Sequence, residues 1–161
     1  MSKIELMDRT KKKKIIGNLN DNYGIESLHH LFIRSGNDKI RIYSGGLSLE
    51  ELNLFGKNLR LELIGASLGK IEEDNLRINF DILNLPEIKS QINKNIIEIS
   101  STEVLEWLKG KSIEINTEEL AKNDLVVIKN NEDLLGVAKN RKTYIQNYVP
   151  KERRIKWIKK K

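Results

Sequence analysis

The chain has 161 residues, enough for one ordinary domain or for two small ones that share a core. It is 39% hydrophobic and 32% charged, a composition that argues against global disorder. No run of about 18 apolar residues occurs, which predicts no transmembrane helix. The chain contains no Cys, which excludes disulfides, thiolate zinc sites and Cys nucleophiles.

The chain begins with a segment, from Lys3 to Leu19, in which apolar residues fit a helix loosely. Four lysines, Lys11–Lys14, would lie on this helix, and Gly17 is predicted to break it. Two apolar runs then flank the sequence Ser-Gly-Asn-Asp, which is typical of a β-hairpin turn because Gly and Asn tolerate a positive φ. The hairpin is predicted to join strands at residues 31–33 and 40–43.

A capping-box pattern, Ser48 followed three residues later by Glu51, predicts the start of a short helix. Alternating apolar and polar residues then predict strands over 59–65 and 76–82. Two glycines, at 65 and 69, are predicted to bracket the turn between them. The first part of the chain therefore reads as an α/β domain with antiparallel strands.

The second part reads as a strand, a helix and four more strands, the pattern of a small, partly closed barrel. The helix follows Ser101, and Trp107 lies at core spacing on it. Apolar strands at 124–128 and 134–138 flank a polar turn, and a last strand is predicted over 153–158. We place the domain boundary after residue 93, which gives domains at 1–93 and 94–161.

Positive charge is unevenly distributed along the chain. The net charge is +1 over residues 1–93, −4 over 94–136 and +9 over 137–161. A concentrated positive segment predicts a polyanion partner. Large apolar side chains such as Tyr148 and Trp157 are interleaved with the cations, which argues against a disordered solubilising tail.

One sequence pattern in the second part resembles a known RNA-binding domain. The strand Asp124–Ile128, followed by a turn and the glycine-containing strand Leu134–Ala138, resembles the PUA domain. This is the small pseudo-barrel of pseudouridine synthases and archaeosine transglycosylases. The resemblance implies that RNA binds the surface around Lys139 to Lys142 and the last strand.

The first part extends the resemblance to a whole family. The segments Arg41–Tyr43, Leu63–Ile71 and Leu76–Leu83 resemble, in order and spacing, the Nip-seven family of large-subunit ribosome-biogenesis proteins. That family joins an N-terminal α/β domain, with a Gly-x-x-x-Gly-Lys turn between strands, to a C-terminal PUA domain. The similarity runs from Ile4 to Trp157 and looks archaeal in type. It implies an α+β fold in which the N-terminal domain packs on the PUA pseudo-barrel.

From charge and resemblance together, we expect a non-catalytic ribosome-biogenesis factor. It would bind pre-rRNA, including AU-rich single strands, through the PUA domain and dock other ribosome-assembly proteins through the N-terminal domain. The residues expected to contact RNA are Lys139, Arg141, Lys142, Tyr144, Lys151, Arg153, Arg154, Lys156 and Lys159. We expect a cytoplasmic monomer with no membrane partner, no metal and no cofactor.

Other functions remain open at this point. The chain could be an accessory subunit that delivers tRNA or rRNA to an RNA-modification enzyme, or a pure protein-interaction module. A nucleotide-dependent enzyme is disfavoured, because the Gly65–Lys70 segment lacks the spacing of a phosphate loop. The adjacent His29 and His30 lack the spacing of a metal site. Whether Lys11–Lys14 contribute to an RNA surface is also open.

Overall fold

The computed structural model describes residues 4–58, 64–114 and 124–156. The first part of the chain forms an antiparallel sheet with helices. Its elements are β1 (Ile4–Leu6), α1 (Arg9–Tyr23), β2 (Leu31–Ser35), β3 (Lys39–Tyr43), α2 (Leu49–Asn58), β4 (Ala66–Glu72), β5 (Asn75–Ile78) and α3 (Pro86–Lys89). The strands pair in the order β1–β2–β3–β4–β5, and each pair is antiparallel.

The second part forms a mixed sheet that curves into a half-barrel. Its elements are β6 (Ile96–Glu98), α4 (Ser101–Leu108), β7 (Ile113–Glu114), β8 (Leu125–Asn130), β9 (Asp133–Asn140) and β10 (Tyr144–Gln146). The strand order is β6–β8–β9–β10–β7, with β6 parallel to β8 and the other pairs antiparallel. The predicted α+β class is confirmed.

Helix α1 begins later and ends later than the sequence predicts. The side chain of Asp8 accepts a hydrogen bond of 2.8 Å from a backbone N–H of the first turn and caps the helix. The helix continues through Gly17 because Leu19 and Tyr23, beyond it, are completely buried. It ends at Gly24, whose φ of 85° suits glycine. The predicted break at Gly17 is therefore wrong, since burial of the last turn outweighs the roughly 1 kcal/mol that a helical glycine costs.

Two local predictions in the first part are confirmed. Strands β2 and β3 form the predicted hairpin, with Leu31 paired to Tyr43 and a φ of 67° at Gly36 in the turn. At the start of α2, the backbone N–H of Ser48 donates to Oε2 of Glu51 at 2.7 Å. The backbone N–H of Glu51 donates in return to the Ser48 hydroxyl oxygen at 3.2 Å, which completes the capping box.

The segment predicted as a glycine turn is a strand inside the sheet. Strand β4 pairs with β3 on one side and with β5 on the other, and Gly69 lies within it. A Cβ at Gly69 would lie 2.2 Å from the carbonyl oxygen of Arg77, so the close approach of two backbones requires glycine. The prediction of a turn between Gly65 and Gly69 is therefore wrong, and so is the Gly-x-x-x-Gly-Lys turn that the resemblance implies. The strand predicted over 59–65 falls mostly on residues 59–63, outside the described ranges.

The last strand is not where the sequence places it. Residues Lys151–Arg153 form a 3₁₀ turn, and 154–156 are irregular, so a strand over the described part of 153–158 is wrong. The fifth strand of this part is β10 (Tyr144–Gln146), which lies outside the predicted strands. Ile145 at its centre is completely buried, and β10 pairs with both β9 and β7. Three residues are too few to show alternation, so the sequence gives no periodic signal there.

An apolar core connects the two parts. Leu19 and Phe32 of the first part belong to the same buried cluster as Val127 and Val137 of the second. A second cluster lies beneath α4, around the completely buried Trp107. The core of the β8–β9 pair is therefore shared with the N-terminal sheet and α1. The domain boundary after residue 93 stays a prediction.

Candidate nucleic-acid interface

The turn between β9 and β10 exposes three of the residues predicted to contact RNA. Arg141, Lys142 and Tyr144 are all exposed there. The backbone N–H of Lys142, at a φ of 70°, donates to Oδ1 of Asn140 at 2.9 Å and fixes the turn. The Nε–H of Arg141 donates to the neutral Oε1 of Gln146 at 2.8 Å, which leaves its positive charge uncompensated by that bond. The turn thus places two cations and an aromatic ring at one exposed edge.

Lys139 and Arg153 contact acidic residues of the N-terminal part. Nζ of Lys139 lies 2.6 Å from Oε2 of Glu73, and the lysine side chain is only 12% exposed. The hydrogen bond between them lowers the pKa of Glu73 and raises the pKa of Lys139. Nε of Arg153 lies 2.7 Å from Oδ1 of Asp81. Both cations already hold an anionic partner, and their contact with RNA stays a prediction.

Arg154 is built into the fold of the C-terminal part. Its Nε–H donates to the carbonyl oxygen of Val149 at 3.0 Å. Its side chain lies against Gly110, where a Cβ would be 2.5 Å from Arg154 Nε, and Gly110 has a φ of 94°. The backbone N–H of Ile155 donates to the carbonyl oxygen of Leu108 at 3.0 Å. These contacts fasten the segment after the 3₁₀ turn along the end of α4.

Two further cations are exposed beside this segment. Lys151 opens the 3₁₀ turn and Lys156 follows Ile155, and neither forms an ion pair within the described residues. Lys159 and Trp157, which the sequence analysis also considered, lie outside the described residues. We call Arg141, Lys142, Lys151 and Lys156 the C-terminal cationic set.

Asn147 supports this surface and was missed by the sequence analysis. Its Nδ2 donates to the carbonyl oxygens of Trp107 at 2.7 Å and Lys111 at 2.9 Å, and its Oδ1 accepts from the backbone N–H of Val149 at 2.8 Å. The predicted core position of Trp107 is confirmed, and its Nε1–H donates to the carbonyl oxygen of Leu135 at 2.8 Å. An Asn in a polar stretch gives no sequence signal of burial, so only the fold identifies it.

Tyr148 differs from Tyr144 in what its ring contacts. The guanidinium of Arg77, on β5, lies 4.5 Å from the centre of the Tyr148 ring. Arg77 also donates to both carboxylate oxygens of Glu72, at 3.1 and 3.0 Å, and this lowers the pKa of Glu72. Arg77 and Tyr148 line a cleft of about 340 Å³ where the two parts meet. The Tyr148 ring is therefore already in contact with a cation, whereas Tyr144 is 40% exposed at the turn.

The histidine pair belongs to the junction between β2 and α3. Nδ1 of His30 lies 3.5 Å from Oε2 of Glu87, and the backbone N–H of His29 donates to Oε1 of the same carboxylate at 3.1 Å. Within 4–58, 64–114 and 124–156, no group of three or more His, Cys, Asp or Glu side chains could hold a metal ion. None of the helices in these ranges has the length and apolar character needed to cross a membrane.

The comparison with known protein families identifies the C-terminal part. Residues 94–155 match the family model of the methyltransferase RsmF PUA domain. No curated protein matches the chain. The C-terminal part is therefore a PUA domain of the RsmF methyltransferase type, which confirms the predicted PUA fold. The match covers less than half of the chain, and the resemblance to the Nip-seven family stays a prediction.

Proposed function

We propose that this chain binds RNA through the C-terminal cationic set of its PUA domain and carries out no catalysis itself. The observation that supports this proposal best is the PUA match over residues 94–155, since a PUA domain suggests RNA binding. The charge pattern agrees with it, because the last 25 residues of the chain carry a net charge of +9.

The geometry of the exposed residues suits a phosphate backbone. Arg141 retains N–H donors beyond the one that contacts Gln146, and a guanidinium can hold a phosphate with two of them. Lys151 and Lys156 supply two further exposed point charges, on the segment that lies along the end of α4. Tyr144 offers an exposed ring on which one base can stack, a contact of about 1–3 kcal/mol.

The RNA in this proposal is pre-rRNA, and the process is assembly or processing of the large ribosomal subunit. The order and spacing of motifs shared with the Nip-seven family support this choice. The N-terminal part, with a net charge of +1 over residues 1–93, would then dock other ribosome-assembly proteins.

A second candidate function is favoured by the type of the PUA match. The matching model describes the PUA domain of a methyltransferase, RsmF. On this alternative, the chain is an accessory subunit that delivers tRNA or rRNA to a separate RNA-modification enzyme. Both candidates share the RNA-binding surface and differ in the RNA and the protein partner.

A triple charge substitution tests the RNA surface. In the C-terminal variant, Arg141→Gln, Lys151→Gln and Lys156→Gln remove three exposed charges. Each neutralised phosphate contributes about 0.7 to the log–log salt slope for single-stranded RNA, so we expect the slope to flatten by about 2. Affinity near physiological salt should fall on the order of tenfold. Filter-binding titrations across salt measure both quantities.

The matched control removes the same charge elsewhere. The control variant carries Lys39→Gln, Lys57→Gln and Lys89→Gln, three lysines of the N-terminal part that form no ion pair within the described residues. Lys39 points away from α1, because its neighbour Ile40 is buried in the core beneath that helix. Equal slopes for the C-terminal and control variants would contradict the proposed surface.

The identity of the RNA bound in cells distinguishes the two candidate functions. Crosslinking and sequencing of RNA bound in cells should recover pre-rRNA if the chain assists ribosome assembly. Recovery of tRNA or mature rRNA, together with copurification of an RNA-modification enzyme, would favour the accessory subunit. Titration with folded tRNA and with unstructured AU-rich RNA makes the same comparison in solution.

A further inference from the structure

Five cations crowd the first two turns of α1. They are Arg9, Lys11, Lys12, Lys13 and Lys14, and the first turn holds no acidic residue. The N-terminus of a helix carries a partial positive charge that disfavours cations. Arg9 and Lys13 are also four residues apart, a spacing at which like charges destabilise a helix. The arrangement opposes helix stability, so any of these cations that lacks a partner within the protein calls for an explanation other than folding.

Two of the five cations are used within the protein. Lys11 forms an ion pair with Glu5 on β1. Nζ of Lys12 donates to the carbonyl oxygen of His30 at 2.8 Å and lies 5.1 Å from the centre of the Phe32 ring. These contacts anchor α1 to β1 and β2.

The other three cations are exposed. Arg9, Lys13 and Lys14 point to solvent and have no ion-pair partner among the described residues. Their charges are therefore available to an external anion, unlike the charge of Lys139 or Arg153, each of which holds a carboxylate.

These three cations line grooves on both sides of α1. Arg9 and Lys13 border a groove of about 730 Å³ that also contains His29. Lys14 borders a groove of about 660 Å³ on the opposite side, which is also lined by Arg34 and by the carboxylates of Asp21 and Asp74. The start of α1 is therefore a ridge between two concave surfaces, and phosphates can contact Arg9, Lys13 and Lys14 along the ridge itself, away from the carboxylates in the grooves.

Gly17 adds a second observation at the same place. It is exposed one turn after Lys13, and a Cβ there would have nothing within 4 Å. Glycine destabilises a helix interior relative to alanine, and no neighbouring atom requires it here. Its absent side chain leaves the helix backbone open to close approach by a ligand along the ridge.

We propose that the start of α1 is a second RNA-binding surface, which holds the phosphate backbone of the RNA bound by the PUA domain through Arg9, Lys13 and Lys14. This inference rests on the proposed function. A lipid surface is disfavoured, because Ile15, Leu19 and Tyr23 form the apolar face of α1 and are buried in the core.

The position of α1 sets the size of RNA that can reach both surfaces. At its C-terminal end, the Asn22 carbonyl oxygen accepts a 2.8 Å hydrogen bond from Nδ2 of Asn95, which lies at the start of the PUA match. The helix has 15 residues, so at about 1.5 Å per residue its start lies roughly 20 Å from this junction. An RNA that extends from the start of α1 to this junction therefore spans several nucleotides rather than one or two.

A helix variant tests the second surface. Arg9→Gln, Lys13→Gln and Lys14→Gln remove three charges, as in the control and C-terminal variants. With a structured rRNA fragment, we expect affinity to fall on the order of tenfold and the salt slope to flatten by about 2 relative to the control. Thermal unfolding should show a Tm unchanged or raised by a few degrees, because cations that oppose the helix dipole have been removed.

The outcomes separate this inference from the proposed function. An affinity and slope equal to those of the control variant overturn the second surface, while a loss in the C-terminal variant still supports RNA binding by the PUA domain. Unchanged RNA binding together with lost binding to poly-glutamate or to phosphatidylglycerol vesicles also overturns it, since the partner is then an acidic protein or a lipid. If the wild-type chain binds no RNA, the proposed function itself fails.

Discussion

The two cationic segments of this protein use their charges in different ways. In the C-terminal segment, Lys139 and Arg153 hold carboxylates of the N-terminal part, and Arg154 holds a carbonyl oxygen. At the start of α1, Lys11 holds Glu5, whereas Arg9, Lys13 and Lys14 are exposed without ion-pair partners in the described ranges. Part of the positive charge of the C-terminal segment is therefore neutralised by carboxylates of the N-terminal part.

This difference shows that charge summed along the sequence is a poor measure of charge available at a surface. Glu73 and Asp81 count towards the +1 of residues 1–93, yet they neutralise cations of the C-terminal segment. Because Glu73 and Asp81 belong to residues 1–93, they also offset the cations of α1 in the net charge of that part. Partner surfaces follow from the spatial distribution of unpaired charge.

The largest expected effect comes from a polar group buried in the C-terminal segment. Asn147→Ala removes two donated hydrogen bonds and one accepted one, and it leaves the carbonyl oxygen of Trp107 without this donor. We expect the free energy of unfolding to fall by about 2–4 kcal/mol. Urea denaturation measures it. Asn53→Ala, on the exposed side of α2, is the control and should change stability by less than about 0.5 kcal/mol.

An intermediate effect is expected from Arg154. Arg154→Ala removes the hydrogen bond to Val149 and the packing against Gly110, and should lower the free energy of unfolding by about 1–2 kcal/mol. Lys13→Ala, at the start of α1, should stay within about 0.5 kcal/mol of the wild type. Similar losses for both would remove the contrast between the segments. The double variant Arg153→Ala, Arg154→Ala should weaken RNA binding, in part by destabilising the PUA domain.

The smallest expected effect is the pH dependence of the Glu73–Lys139 pair. The pKa of Glu73 is lowered from its ordinary value of 4.5 by the hydrogen bond from Lys139. A carboxyl with a lowered pKa stabilises the folded state above its ordinary pKa, and this contribution is lost as the pH falls through the folded pKa. Glu73→Gln should therefore lower Tm near pH 7 and lower it less at about pH 3. A Tm difference that is the same at both pH values would show that the pair does not contribute.

The elements that the sequence predicts correctly are those whose sequence patterns involve residues only a few positions apart. The hairpin at Gly36 and the capping box of Ser48 and Glu51 are complete within four residues each. The α4 helix is similar, since the spacing of Trp107 and its neighbours marks its buried side. Local signals of this kind do not require knowledge of the fold.

The wrong predictions concern residues whose conformation depends on distant neighbours. Gly69 lies in a strand because the backbone at Arg77 passes directly against it. Gly17 stays helical because Leu19 and Tyr23 are buried against the rest of the core. Each glycine breaks a local pattern, and only tertiary contacts decide whether the element continues.

The sequence predicts which residue types the candidate site contains, but it does not predict which residues they contact in the folded protein. The cations and Tyr144 near the end of the chain stand out by composition. The ion pairs of Lys139 and Arg153 join residues far apart in the sequence, and the buried Asn147 has no local signature. The ion pairs between the N-terminal and C-terminal parts therefore could not be inferred without the fold.

The shared core has a consequence for binding strength. Because Val127 and Val137 pack in the same cluster as Leu19, the start of α1 and the β9–β10 turn are both attached to one packed frame. When two contact points are held at a fixed separation, the second contact forms at a high effective concentration, without the entropy that a flexible linker would lose. On the proposed function, an RNA whose shape matches that separation would gain avidity, and one of another shape would not. The frame would then select RNA by dimension as well as by charge.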